Sequence, residues 1–590
     1  MDMHHQDSSQ ERRRWSRARR ARDPRFDGRF FVGVTSTGIY CLPICPAPTA
    51  REENVLYFPS AAAAAAAGLR PCRRCRPETA PGTPAWSGTS ATVSRALRLI
   101  DHGALDDDGA VDRLAGRLGV GGRQLRRLFE RHLGASPVAV AQLRRLQFAR
   151  RLIDETAIPL VDVAFASGFG SVRRFNAAFR ASFGCAPRDL RRQRVEEPSW
   201  TASANGSGWR LRLDYRPPLD WERLLAFLTP RALPHIESVA GGVYRRAFRL
   251  AELEGWLEVR PAKRRSSLEL ILHCRRGSAW AGGQPAAGHS GNGSSKSGTS
   301  HASGDWHPEG ERLPALLPLV QRCRALFDLD SDPAAVAERF ADDEDLASRF
   351  AEAPGIRVPG AWDPFEVAVR AVLGQQVTVR GATTLAGRLI ERWGERLDAG
   401  GHAGRSPDSL DRTFPPPERL AEVPLEEIGL TRARAAALRA LAKGVAEGEI
   451  VLDGSAAAEQ VCAAMCRIRG LGDWTAQYVA MRALADPDAF PASDLHLRRA
   501  LVGEELSARA LEKRAEAWRP WRAYAAMLLW QTAPEPAPAL IERSKTPPAA
   551  VRAQPAASPA QPAAAPAQPV PWPAQPAARR RAGRQKGAAR

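Results

Sequence analysis

Four of the nine cysteines stand in two tight pairs: TGIYCLPIC places Cys41 and Cys45 four positions apart, and RPCRRCRP places Cys72 and Cys75 three apart. The pairs could be disulfide partners, a structural metal clamp, or a clamp whose sulfur reacts. The pattern C-x3-C, 26 residues, then C-x2-C suits a four-thiolate zinc site. A reactive disulfide needs one pair and leaves the other unexplained. A second concentration of chemistry lies in MCRIRGLGDWTAQYVAMRA and the DAFPASDLHLRRAL that follows. Trp474 and Tyr478 are four positions apart on one helix there and project toward the same space, an arrangement that most often packs a core. Asp494 immediately precedes a helix start at Leu495 and is placed to cap it.

The charge balance indicates what such groups would meet. The chain holds 85 Lys and Arg against 65 Asp and Glu, a formal net charge of +20. That excess favours a polyanionic partner; nucleic acid is the usual one and an acidic membrane surface the rival. No apolar run approaches the roughly 20 residues of a spanning helix, which argues against an integral membrane protein. The N-terminal MDMHHQDSSQERRRW is polar, without an apolar signal core. The expected location is the cytoplasm, where thiols stay reduced and paired cysteines do metal or redox work.

At 590 residues the chain needs several cores to position these groups. Residues 1–80 carry the cysteine pairs, strand-like runs such as RFFVGVT, and a helical alanine run at 61–67. APGTPAWSGTS (80–90) is a linker by composition. The pattern is then helical from 91 to 192, with VDRLAGRLGVGGRQLRRLFERHLG turning at Gly119 and LVDVAFASGFGSVRRFNAAFRASFG turning at Gly168. Both read as helix-turn-helix units. Leu125, Leu128 and Phe129 face the core, leaving Arg123, Arg126 and Arg127 for a groove or phosphates; Arg173 and Arg174 are placed likewise in the second unit. Any single arginine of that kind is ordinarily a solvated face. EEPSWTASANGSG (196–208) breaks the pattern, and WRLRLDYRP, GWLEVRP and LELILHC then alternate as strands, with a helix at 220–228. A Gly/Ser-rich insertion (277–307) reads as flexible, its His289, His301 and His307 solvated. Helical periodicity returns at 311, and the tail is a disordered Pro/Ala/Gln tract ending in basic residues available to phosphates.

Three resemblances sharpen this reading. TGIYCLPIC…REENVLYF…AAAAAAGLRPCRRCRP resembles the N-terminal domain of the Ada alkylation-response family. The resemblance implies one Zn²⁺ held by Cys41, Cys45, Cys72 and Cys75, with Cys41 taking a methyl group from a methylphosphotriester in DNA. Four thiolates on Zn²⁺ carry net negative charge, so methylation removes charge and should tighten DNA binding. This chain has Leu42 and Pro48 where members of that family carry basic residues. Residues 91–192, closing on SFGCAPRDLRR, resemble AraC-type regulators. Residues from about 209 to 533 resemble the AlkA type of 3-methyladenine DNA glycosylase II, a helix-hairpin-helix enzyme.

The last resemblance implies that Asp494 is the essential carboxylate and that Trp474, Tyr478 and Trp530 line the pocket for a flipped base. It also implies that Gly470 and Gly472 let backbone N–H groups approach a DNA phosphate, and that Gln376, in LGQQV, stands where AlkA has its leucine wedge. Bifunctional relatives carry a Schiff-base lysine where this chain has Trp474, so strand cleavage by that route is not expected. Their iron–sulfur cysteines are missing too, since no cysteine follows Cys466. Cys462 and Cys466 read as packed thiols, and Asp486 and Asp488 as bystanders. No PCHRV-like motif is present, so direct O6-methylguanine repair is not expected.

The expected architecture is multidomain α+β. It comprises a small zinc-bound α/β module (1–80), an all-α double helix-turn-helix domain (88–195), an AlkA-like antiparallel β/α domain (206–310), an all-α helix-hairpin-helix glycosylase domain (311–535) and a disordered basic tail (536–590). The expected function is a monofunctional alkylbase glycosylase fused to a methyl-accepting regulator, with no cofactor for the glycosylase. Its partners would be duplex DNA bearing alkylated bases or methylphosphotriesters, promoter DNA and RNA polymerase, with the chain a monomer away from membranes. The alternatives are a damage-responsive regulator whose C-terminal half binds without turnover, and a zinc module with inert sulfurs.

Overall fold

The computed structural model describes residues 3–75, 77, 91–106, 110–192, 208–250, 253–263, 266–276, 315–397, 408–501 and 505–532. The linker at 80–90, the insertion at 277–307 and the tail at 536–590 lie outside the described residues. The described residues all belong to one compact unit.

The N-terminal module is a four-stranded sheet in the order Val55–Phe58, Phe31–Val34, Ile39–Cys41, Arg70–Pro71. Its first three strands are antiparallel and the last runs parallel to Ile39–Cys41. The alanine run forms the helix Ala61–Ala66, whose N-cap Ser60 accepts from the Ala63 N–H. Four buried alanines let this helix lie close against the sheet. A helix expected from neither pattern nor resemblance, Met3–Ala21, precedes the sheet. Its Trp15 stacks on Phe30 at 5.1 Å, and its Arg19 donates to Tyr57 and the Ala50 carbonyl.

Among the described residues of 91–192 there are seven helices, and both turns fall at the expected glycines, Gly119 and Gly168. The first unit pairs Ala110–Arg117 with Gly122–Leu133, and the second pairs Leu160–Ala166 with Val172–Phe183. Leu125 and Phe129 are fully buried and Leu128 packs against the same core. The long helix Pro137–Glu155 joins the two units.

Beyond this lies a five-stranded antiparallel sheet in the order Gly208–Asp214, Ser267–Arg276, Leu253–Pro261, Val243–Leu250, Glu237–Ala240. The last two strands were not legible as strands. VYRRAFRL hides its alternation because Arg246 points inward, where it bonds to Glu237 at 2.9 Å and to Glu366. A buried, paired arginine looks polar in a sequence and behaves as core in the fold. The following helices run from Leu317–Leu326 to Arg522–Thr532, with a two-residue ladder between Glu395–Arg396 and Arg412–Thr413. Several begin at side-chain caps, among them Asp332, Asp343, Asp363, Thr378 and Thr431.

Named side chains bind the regulator-like helices to the C-terminal helices. Arg95 donates to the Ser455 carbonyl at 2.6 Å, Arg117 pairs with Asp453 at 2.8 Å, and Arg98 donates to the Leu484 carbonyl. No helix among the described residues is long and apolar enough to cross a membrane.

Candidate active site and metal centre

The small sheet converges the four cysteines. Cys41 ends a strand, and a turn closed by the Cys45 N–H to the Leu42 carbonyl brings Cys45 back toward it. Cys72 follows Arg70–Pro71 and its N–H bonds to the Tyr40 carbonyl at 2.9 Å. All four sulfurs lie within 4.8 Å of one another, and Cys45 and Cys72 Sγ are 3.9 Å apart. Tetrahedral zinc with Zn–S bonds of about 2.3 Å wants sulfurs about 3.8 Å apart. The donor set therefore fits in both chemistry and spacing. Hydrogen bonds within the quartet drive the Cys45 thiol down to about 7 and Cys72 lower still, while Cys41 and Cys75 are driven up. Four thiols this close compete for protons, a conflict that a divalent cation removes. Leu42 is 2% exposed, so its side chain belongs to the core and not to a phosphate-binding face.

The second site is built on a helical hairpin, Ala458–Cys466 followed by Asp473–Ala483. Between them Gly470 adopts φ +96°, a conformation that a side chain would strain. Leu471 is buried and anchors the turn, while Gly472 caps the second helix. On that helix Trp474 and Tyr478 stack with ring centroids 5.3 Å apart and planes 13° apart. Trp530, from the last described helix, stands 6.3 Å from Tyr478 at 53°. Together the three rings form a partly exposed aromatic slot.

Asp494 closes the slot. The Trp474 indole N–H donates to its Oδ2 at 2.8 Å, and the Trp530 indole N–H donates to its Oδ1 at 3.0 Å. Oδ1 also accepts the Leu497 N–H at 3.0 Å, so Asp494 caps Leu495–Ala500. Three donors aimed at one carboxylate fix its plane. The same carboxylate thus caps a helix and is held by the two indoles of the slot.

Gln376 is exposed at φ +55°, at the tip of the turn between Pro364–Leu373 and Val379–Trp393. Its neighbour Gln375, which the sequence did not single out, donates to the Gly470 carbonyl and to Thr475 Oγ1, each at 3.0 Å. Only a contact across about a hundred residues separates the roles of these two glutamines. Val377, 38% exposed, stands beside the tip.

Arg123, Arg126, Arg127, Arg173 and Arg174 are all exposed on the second helices of the two turn units. Arg126 lies 3.8 Å from Asp112, and Arg127 donates to Gln124 at 2.6 Å. Asp488 is tied to Arg519 and Arg522, and Asp486 is half-buried. Both act within the fold, apart from the slot. Cys462 packs against the core, but Cys466, the last residue of the same helix, is exposed and departs from the packed-thiol expectation because the core no longer covers that end of the helix face.

Comparison with known proteins agrees with this anatomy segment by segment. Family models match for the metal binding domain of Ada (residues 13–78), a helix-turn-helix domain (114–193), the AlkA N-terminal domain (210–281 and 300–363) and the HhH-GPD superfamily of base excision DNA repair proteins (369–521). The chain is 30% identical over 323 residues to DNA-3-methyladenine glycosylase 2 of Escherichia coli, covering 54% of this chain and 96% of that one. It is 38% identical over 137 residues to the bifunctional transcriptional activator/DNA repair enzyme Ada of the same organism, covering 23% and 36%. A Mycobacterium tuberculosis protein described as a probable bifunctional transcriptional activator/DNA repair enzyme AlkA is 39% identical over 523 residues, 88% of this chain and 96% of the relative. With a metal-binding quartet, a helix-turn-helix pair and a hairpin glycosylase fold in the same order, the chain belongs to the family of bifunctional transcriptional activator/DNA repair enzymes of the AlkA type.

Proposed function

We propose that the C-terminal half releases alkylated purines from duplex DNA by hydrolysis of the N-glycosidic bond, with Asp494 as the catalytic carboxylate. The observation that supports it is the bridging of Asp494 by the indoles of Trp474 and Trp530 beside the ring of Tyr478. Alkylation at purine N3 or N7 makes the base cationic and weakens its bond to the sugar. The flipped base stacks in the slot, where each aromatic face attracts the cation by about 0.5–2 kcal/mol. As the bond breaks, positive charge develops on the sugar, and the fixed Asp494 carboxylate stabilises it or orients water for attack. Gly470 and Gly472 bring backbone N–H groups to a DNA phosphate, and Gln376 fills the space left in the stack. Trp474 offers no amine, so the reaction ends at the abasic site. Base release from methylated duplex, and its loss in Asp494→Asn, tests the reading.

The N-terminal module would carry a stoichiometric methyl transfer. Cys41, Cys45, Cys72 and Cys75 would hold Zn²⁺, which keeps thiols deprotonated near neutral pH. The half-buried Cys41 Sγ attacks the methyl carbon of a methylphosphotriester; the S–C bond forms, the C–O bond breaks, and its electron pair stays on the phosphate oxygen. The exposed arginines of the two turn units would then meet promoter DNA with less repulsion from the module. Intact-mass measurement after mixing with methylphosphotriester DNA tests this: a gain of one methyl group on Cys41 supports it, and no gain removes it.

A further inference from the structure

Behind the slot, the Tyr478 hydroxyl sits among arginines. Arg482 Nη1 donates to it at 2.7 Å, and the guanidinium of Arg231, on the short turn Thr229–Arg231, is near enough for its charge to act on the phenol. Both arginines also donate to backbone carbonyls, Arg482 to Pro359 and Gly360 and Arg231 to Phe227, and both lie over the Phe227 ring. Among the described residues neither makes an ion pair with a carboxylate. Arg370 also faces Tyr478, but it is neutralised by Glu237 at 3.5 Å and Glu366 at 3.7 Å. Two uncompensated guanidinium groups therefore converge on one phenol. On the opposite side the ring stacks on Trp474, and the nearest acid there, Asp494, is engaged by Trp474 and Trp530.

We propose that Tyr478 is the specificity-determining wall of the pocket, exchanging its phenolic proton for the positive charge of an alkylated base. The O–H bond breaks, its electron pair stays on the phenolic oxygen between Arg231 and Arg482, and the proton leaves to water. The resulting ring is far richer in electrons, and it faces the flipped cation directly. A neutral base of the same shape gains nothing from the exchange. Burial by itself would raise the phenol, but the charges of Arg482, Arg231 and Arg370 outweigh it and hold Tyr478 below its ordinary value. Tyr57, Tyr215, Tyr244 and Tyr524 are raised instead, Tyr40 is fully buried, and Tyr478→Phe assigns the earliest step. This inference rests on the slot being the base pocket.

Tyrosinate absorbance of the full chain, followed against pH, reads the exchange without depending on turnover. The earliest step should vanish in Tyr478→Phe and move to higher pH in Arg482→Met. Duplex containing N3-methyladenine on a cleavage-resistant fluorinated sugar should move that step to lower pH. The same duplex with 3-methyl-3-deazaadenine, a neutral isostere, should not. An earliest step that persists in Tyr478→Phe, or that responds equally to the two duplexes, overturns the proposal. Base release by the wild-type protein at one fixed pH is measured beside it, so failure of the glycosylase reading shows as no release, separately from the tyrosinate result.

Discussion

Trp474 and Asp494 lie twenty residues apart in sequence and are joined by a single 2.8 Å hydrogen bond from indole N–H to carboxylate Oδ2. One wall of the aromatic slot is thereby also a mount for the acid. Asp494→Asn keeps a capping oxygen for Leu497 but turns an amide N–H toward an indole N–H on one side. The short helix should survive while base release falls by about a hundredfold or more, the scale of losing one preorganised electrostatic group. Single-turnover base release and far-UV circular dichroism measure the two effects.

Trp530→Phe keeps a ring in the slot and removes one donor from Asp494. A hydrogen bond to a charged group contributes about 1.5–3 kcal/mol, so kcat should fall by about tenfold or more. KM for an N3-methyladenine duplex should change less. Steady-state kinetics that show the opposite split would mean the indole N–H does not orient the acid.

Stripping zinc with a strong chelator should abolish methyl uptake by Cys41 and leave base release in place. The two sites share no residue, and the slot holds none of the sulfurs. Intact mass and base release, measured on the same treated sample, check both halves.

Stability should carry a signature of Asp328. Burial beneath Tyr524 and Val358 pushes its carboxyl up to about 7, against the pull of Arg357, from 3.8 in the free side chain. Between those values the folded chain holds a proton that the unfolded chain has released. This contribution is therefore present below the lower value and lost as pH rises through the upper one. Asp328→Asn should flatten that decline, and asparagine also tolerates the φ of +50° found here. Urea midpoints across the window measure it.

Arg98→Ala should loosen the helix that carries the slot. The Arg98 guanidinium caps the Leu484 carbonyl, where Asp473–Ala483 ends. Leaving that carbonyl without its donor costs about 1–3 kcal/mol. The expected outcome is a lower Tm and faster amide exchange in the hairpin helix.

What could be read in advance was what is local. The cysteine pairs, the glycine turns and the aromatic pair at 474 and 478 are spacings within a few residues, where covalent geometry does most of the positioning. Trp530 entered only through resemblance, because nothing in MLLWQT points to Asp494. Arg482 behind Tyr478, Gln375 beneath the tip and Arg98 at Leu484 join segments whose meeting depends on the packed fold. The strand Val243–Leu250 was missed because a buried arginine with two carboxylates imitates a polar surface. Conversely, Asp494 looked like an ordinary cap and is one; only its two indole neighbours distinguish it.

Gln375 ties the Gly470 carbonyl to the turn that bears Gln376, and this has a consequence for how damage is found. If the hairpin turn grips the backbone and Gln376 probes between bases, as proposed, the two are one rigid tool, and a protein sliding along undamaged duplex would have to lift both together. On that reading search and inspection would be alternating postures, with a lesion noticed only when the tool is pressed fully home.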